Sequence, residues 1–544
     1  MFRYALRLHR GGMIGYGAAL ALTAVATGAT YAKLAGITAA SRAAFAGNFT
    51  SLAGQFSALM PAPHGLDTLA GYLLWKGWGA LPILVAGWAV LAATGAARGD
   101  EDRRLVDAWL AAGTPRRGVV GARIAAFGCA AAVSAAALAA GSLLGSGGPG
   151  GGLAAGGLAG QTLAFWLLTV ACFALCYLVA QLPASTRAAQ AAAGGLLLAL
   201  YLLEVGGRTD PALHAVAWLS PFKWYDATDA LAPGGRLDVA GVILSAALIA
   251  AAGLLSALAF QRRDVGGALW PATGSRARAR REAAPSRALG WPVARLLRRE
   301  RGAILMWIVI IGLVSVFMVA FAHTVVADLS AVTSPLTGVP GLQAFFTTAG
   351  QGAYVSFIAV FWCGVTQLLL AGLAAQLVSA WASDDTGGIL VAALSRPVSR
   401  GGVVLERAAA AAVALVAAAA VAGLAAALTA AADGASLPLG RLVGATALLV
   451  PFGLTFAAAG AAAGGRWPRA AAGVLGAFAF LSFFYSELRL LMGWPGWVDN
   501  FSVFRLYGSP LSAPPYWTGL WVMLAIVAAG FALAVWALRG RDVA

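Results

Sequence analysis

Apolar runs of about 20 residues recur from one end of the chain to the other, and no other feature restricts the fold as strongly. A helix needs about 20 apolar residues to cross a hydrocarbon core of ~30 Å. Backbone immersed in lipid must satisfy its own hydrogen bonds, as helix or closed barrel. A barrel would require alternating segments of about ten residues, and these runs are longer and uniformly apolar. The expectation is an all-α polytopic membrane protein. Composition agrees: 60% of residues are hydrophobic, 11% are charged and the mean hydropathy is +0.81, against about 25% charged in soluble domains.

Spans are predicted near 13–34, 72–97, 119–144, 158–182, 189–205 and 238–260, then near 303–326, 353–382, 402–431, 441–463, 470–488 and 517–538. Twelve transmembrane helices fall into two sets of six, a first half over 1–263, an Arg-rich linker over 264–289 and a second half over 290–544. Pro115 and Pro397 lie 282 positions apart, as do Arg187 and Arg469, and FKWY (222–225) falls on FRLY (504–507) at the same spacing. We read this as a parallel duplication. Each half opens on an amphipathic segment, FRYALRLHR at 2–10 and WPVARLLRRERGAILMW at 291–307, expected to lie in the interface ahead of a span. The apolar run after Met13 is too long for a signal peptide, and the second copy is mid-chain. LSPFKWYDATDAL reads as a short interfacial or re-entrant helix.

The net charge of +16 would point to nucleic acid only on a soluble fold with a basic face. Here eleven arginines between Arg262 and Arg301 place that loop, and with it both termini, in the cytoplasm by the positive-inside rule. Cys129, Cys172, Cys176 and Cys363 all lie in apolar runs, which argues against a disulfide framework. The loop GSGGPGGGLAAGG lacks the Lys of a P-loop, and Lys33, Lys76 and Lys223 stand in no such context. The chain is therefore expected to hold no nucleotide or other cofactor itself. Neither HExxH, paired carboxylates on one span nor a Ser/His/Asp set is visible, and His9, His64, His214 and His323 are scattered, so an enzyme is not expected.

One charged stretch occurs twice: RGDEDRRLVDAWLAAGTPRRGVVGAR (98–123) and SDDTGGILVAALSRPVSRGGVVLER (383–407). Leu105, Ala108, Trp109 and Ala112 share one helical face in the first, and Leu390, Ala393, Leu394 and Pro397 in the second. Asp100 and Glu101, or Asp384 and Asp385, are expected at the positive end of that helix, with Pro115 or Pro397 ending it. The physics fits either a helix lying on the bilayer surface or a docking element.

The repeated stretch resembles the cytoplasmic coupling element of ABC export permeases. With SPF-W-Y, RRDVGGALWPA and QLPASTRAAQAAAG, the whole chain resembles the actinobacterial exporters of polyketide antibiotics, including tetronasin-type transporters. The resemblance implies two fused six-helix permease halves of an ATP-driven exporter in the bacterial plasma membrane. It implies separate ATP-binding subunits, two nucleotide-binding domains per permease chain, with ATP and Mg bound there. Coupling would fall to Asp100, Glu101, Leu105, Trp109, Asp384, Asp385, Leu390, Leu394 and Arg396. The path for hydrophobic drugs, antibiotics or lipid-like compounds would run between the halves, past Trp88, Tyr201, Glu204, Phe357, Phe361, Phe480, Phe484 and Glu487. Two alternatives stand beside it. A proton-coupled secondary multidrug transporter needs a relay of buried ionisable groups, of which the spans offer few, and a lipid-modifying membrane enzyme needs a constellation the sequence lacks.

Overall fold

Eleven helices are long and apolar enough to cross a membrane among the described residues of the computed structural model, which are 1–55, 61–147, 152–269, 291–332, 353–395, 398–468, 470–492 and 502–541. No strand occurs among them. Contacts divide the chain into two units, Met1–Glu282 and Ala283–Ala544.

In the first unit the spans are α1 (Phe2–Ala35), α3 (Leu69–Asp102), α5 (Arg116–Gly145), α6 (Ala155–Val179), α7 (Thr186–Thr209) and α9 (Val239–Arg262). Between them lie α2 (Ala39–Gln55), the short α4 (Leu105–Ala111) and α8 (Pro221–Asp226), the last on the segment read as a short helix. The second unit repeats the order: α10 (Pro292–Val332), α11 (Ala353–Thr386), the short α12 (Ile389–Leu394), α13 (Arg400–Ala432), α14 (Leu439–Arg466), α15 (Ala471–Met492), the short α16 (Val503–Tyr507) and α17 (Trp517–Arg539). Of the twelve expected spans, α15 is the one outside the eleven, with an apolar stretch over Gly473–Phe483. Most of the 264–289 linker, and Arg469, lie outside the described residues.

One expectation changes. The amphipathic leads are not separate helices but the first turns of α1 and α10. No proline interrupts either junction, and Gly11 and Gly12 in a helix interior cost only about 1 kcal/mol each. Gly12 is used for a close approach, since a Cβ there would come within 2.5 Å of the Trp88 indole nitrogen. Trp75 and Trp78 are buried at 5% and 0% exposure, and Trp78 donates its indole N–H to Ser142 Oγ at 3.2 Å.

The α1–α5 crossing shows why this unit is small-residue rich. Gly141 and Gly145 of α5 form a GxxxG pair against α1, where a Cβ on Gly141 would meet the Ala21 carbonyl oxygen at 2.4 Å. In a lipid-embedded bundle such contacts stand in for hydrophobic driving force. Behind them Phe127 stacks on Phe173 at 4.0 Å. α14 and α17 meet the same way, through Gly530 on Ala458.

Candidate functional site: two elbows and the opposite end of the first unit

The repeated stretch forms an elbow after the second span of each unit, but its acids are not where the helix dipole would put them. α3 continues through them. A widened π turn at Gly95–Gly99 inserts an extra residue, as such bulges do, and Arg98, Asp100 and Glu101 end up 1%, 2% and 7% exposed. Asp100 pairs with Arg123 of α5, and with the exposed Arg103 at 3.6 Å. Glu101 pairs with Arg98 at 3.1 Å and with Arg263, immediately after α9. Arg98 donates to the carbonyls of Ala180, Gln181 and Gly267, each at 2.8 Å. Arg263 donates to Gln181 Oε1 at 2.8 Å. The ends of α3, α5, α6 and α9 thus meet at one buried cluster of three arginines and two acids.

From this base α4 departs through Arg104, the one non-glycine residue with positive φ (58°) among the described residues. α4 buries Val106, while Leu105 and Trp109 are half-buried and Ala108 and Ala112 exposed. The expected face through Leu105, Ala108, Trp109 and Ala112 is therefore rotated: Val106, Trp109 and Leu110 point inward. The Arg123 guanidinium lies 4.4 Å from the Trp109 ring centroid, and Tyr4 of α1 meets that ring edge-on at 5.8 Å.

The second elbow repeats the plan. Asp384 pairs with Arg299 of α10, and Asp385 with Arg407 of α13 at 2.7 Å and Arg541 beyond α17 at 3.4 Å. α12 buries Leu390 at 1% exposure and half-buries Leu394; Arg396 and Pro397 lie outside the described residues. The registration is 284 positions, which pairs Asp100 with Asp384, Val106 with Leu390 and Arg123 with Arg407. It also places Gly388 (φ 78°) on Arg104 and Ala382 on Arg98. Position 115 then matches Ser399, whose hydroxyl caps α13 by accepting from Gly402 N–H at 3.0 Å, rather than Pro397. A second arginine pair completes the repeat. Arg116 donates at 2.7 Å to the Phe260 carbonyl at the end of α9, and Arg400 at 2.7 Å to the Leu538 carbonyl at the end of α17.

Sequence reasoning named the acids and missed their partners, Arg98, Arg123 and Arg263 in the first unit and Arg299, Arg407 and Arg541 in the second, as well as the carbonyl-bound Arg116 and Arg400. The signal was present: at a spacing of 284 both Arg116 and Arg123 fall on arginines.

Of the residues assigned to a substrate path, Tyr201 and Glu204 come together near the far end of α7. Glu204 is fully buried; Arg208, one turn on, donates its Nε–H to Glu204 Oε1 at 3.0 Å and to Asp226 Oδ2 of α8 at 3.1 Å. Tyr201 meets Phe222 edge-on at 5.4 Å. Beside this cluster lies a cavity of about 410 Å³ with Trp75, Gln161, Arg208, Lys223 and Asp226 in its wall. Trp88 is instead a core residue, 4% exposed and stacked on Tyr16 at 5.0 Å. Phe357 is buried and stacks at 4.3 Å on Phe361, which is 38% exposed. Phe480 is half-buried on α15, and the side chains of Phe484 and Glu487 lie outside the described residues.

Two units of membrane-spanning helices, each with a short helix braced by ion pairs after its second span, make up a multi-pass membrane protein. Residues 289–539, nearly the whole second unit, match the family described as the multidrug efflux system permease Rv1217c, C-terminal domain. No curated protein matches the chain.

Proposed function

We propose that the chain is the permease subunit of an ABC-type exporter that moves hydrophobic drugs, antibiotics or lipid-like compounds out of a bacterial cell, in the manner of the polyketide-antibiotic and tetronasin-type exporters. The observation that carries this reading is the duplicated elbow. Each presents a short helix on a rigid base, in a chain whose sequence has no P-loop. The outward residues are Asp107, Ala108 and Ala111 on α4 and Ile389, Val391 and Ala392 on α12, small or apolar enough to enter a groove on an ATP-binding subunit. Two nucleotide-binding domains per chain, holding ATP and Mg, would then serve two elbows, both on the cytoplasmic face with the termini.

On this reading Asp100, Glu101, Asp384 and Asp385 are positioning residues. They hold the short helices by ion pairs to the third span and to the end of the last span of each unit, and in the second unit also to the first span through Asp384 and Arg299, so a push on α4 or α12 is delivered to the spans. The two elbows differ: Arg98 ties the first to the end of α6, whereas Ala382 leaves the second without that tie. The test is copurification with an ATP-binding subunit, followed by ATPase turnover. Leu394→Asp is expected to lower transport-coupled turnover at least several-fold. A chain that exported under a proton gradient with no ATPase present would overturn the proposal. That outcome would favour the proton-coupled alternative, whose one supporting observation is the buried Glu204 sharing Arg208 with Asp226.

A further inference from the structure

The cavity at the far end of the first unit has a donor and acceptor pattern that the packing does not use. Gln161 is 1% exposed. The Tyr225 hydroxyl donates to the Trp78 carbonyl at 3.1 Å, so its oxygen takes the N–H that Gln161 offers. That leaves Gln161 Oε1 with no partner among the described residues, although it stands in the cavity wall. A buried acceptor left open costs stability, and nothing in the repeat demands the glutamine: the position 284 residues on is Ala445, whose carbonyl accepts from Tyr507 at 3.0 Å. Gln161 is thus particular to the first unit.

Two charges of opposite sense complete the wall. Lys223 on α8 makes no ion pair among the described residues. Three residues on from it Asp226 also lines the wall, one carboxylate oxygen held by Arg208 at 3.1 Å. An open acceptor beside the Asp226 carboxylate calls for a donor-bearing cation, and an ammonium with no ion pair among the described residues calls for an oxyanion. The volume lies within the ~300–1,000 Å³ of small-molecule sites. Gln161 sits near the start of α6 and the elbow's Ala180 at its end, about 30 Å apart at 1.5 Å per residue, which is one hydrocarbon thickness. The cavity therefore faces the membrane boundary opposite the elbows.

We propose that this cavity binds a zwitterionic headgroup that joins a primary amine to a phosphate or carboxylate, with the amine toward Gln161 Oε1 and Asp226 and the oxyanion on Lys223. The inference needs no ATP coupling and stands apart from the transport proposal. Two sources share the chemistry, an aminophospholipid and a free amino-phosphate. A choline headgroup is the discriminating control because its quaternary ammonium has no N–H to donate.

The experiment uses the full chain, stripped of lipid in detergent and exposed to vesicles of phosphatidylethanolamine or of phosphatidylcholine, with retained lipid counted by native mass spectrometry. Phosphatidylethanolamine is expected to be retained about tenfold better, and Lys223→Gln and Gln161→Leu are each expected to remove that preference, as loss of one charge-assisted or buried hydrogen bond would. Lys223 makes no ion pair among the described residues, so its variant should melt with the wild type. If added O-phosphoethanolamine displaces the lipid, the site takes the headgroup itself; if the lipid stays, the acyl chains contribute and the lipid is the ligand. Equal retention of the two lipids, or wild-type preference in a Lys223→Gln protein of unchanged melting temperature, would overturn the proposal and leave water as the occupant.

Discussion

Replacing Arg123 by Met tests the claim that the first elbow is an internal brace. Arg123 is fully buried, pairs with Asp100 and covers the Trp109 ring at 4.4 Å. Without it Asp100, 2% exposed, keeps only the exposed Arg103 at 3.6 Å. Leaving one member of a buried pair alone costs about 3–5 kcal/mol, and the cation–π contact adds about 0.5–2 kcal/mol. For a unit of this size each kcal/mol is worth roughly 2–4 °C, so Arg123→Met should lower the melting temperature by roughly 7–28 °C. The double variant Asp100→Leu/Arg123→Met removes both charges and should recover most of that loss, since apolar replacement of a buried pair is close to neutral. The assay is thermal unfolding of the detergent-solubilised chain with hydrogen exchange followed over residues 105–111. If the double variant melts as low as the single one, the ion pair is not what holds the elbow.

Arg104→Gly should stabilise the first elbow by about 1 kcal/mol, because the left-handed conformation penalises a side chain and the second unit already has Gly388 there; slower exchange over 105–111 would register it. Gly141→Val should abolish a folded first unit, since its branched carbon would overlap the Ala21 backbone, whereas Gly121→Ala, with open space around it, should express as wild type; detergent-stable yield separates the two. Ala382→Arg should slow exchange over residues 389–394 if the carbonyls reached by Arg98 have counterparts in the second unit; unchanged exchange would mean that the two elbows differ in more than this one residue.

The spans and the repeat were legible because hydropathy over 20 residues is a strong signal and because acids, arginines and aromatic segments recur in order. The face of α4 was not, because a seven-residue helix containing both Leu105 and Val106 fits two faces, and only Arg104's left-handed turn decides between them. The acids were read as partners of a helix dipole since their neighbours in sequence suggested it. Their true partners are Arg123, 23 positions on, and Arg263, 162 positions on. At the far end Glu204 stood out as an acid at a span terminus, and Arg208 four residues later was its visible partner, but Asp226 arrives from a separate element and only the fold supplies it.

The cluster around Glu101 also sets an order of events during synthesis. Asp100 finds Arg123 as soon as α3 and α5 are both in place, but Glu101 and Arg98 wait for Arg263 and Gly267, made only after α9. Until the ribosome has passed that point, the nascent first half carries a carboxylate and a guanidinium that hold each other without the remaining ties. The half becomes complete when its own last helix arrives, before any of the second half exists. A chain halted before residue 263 should therefore be a substrate for membrane proteolysis, and one halted after Gly267 should survive it.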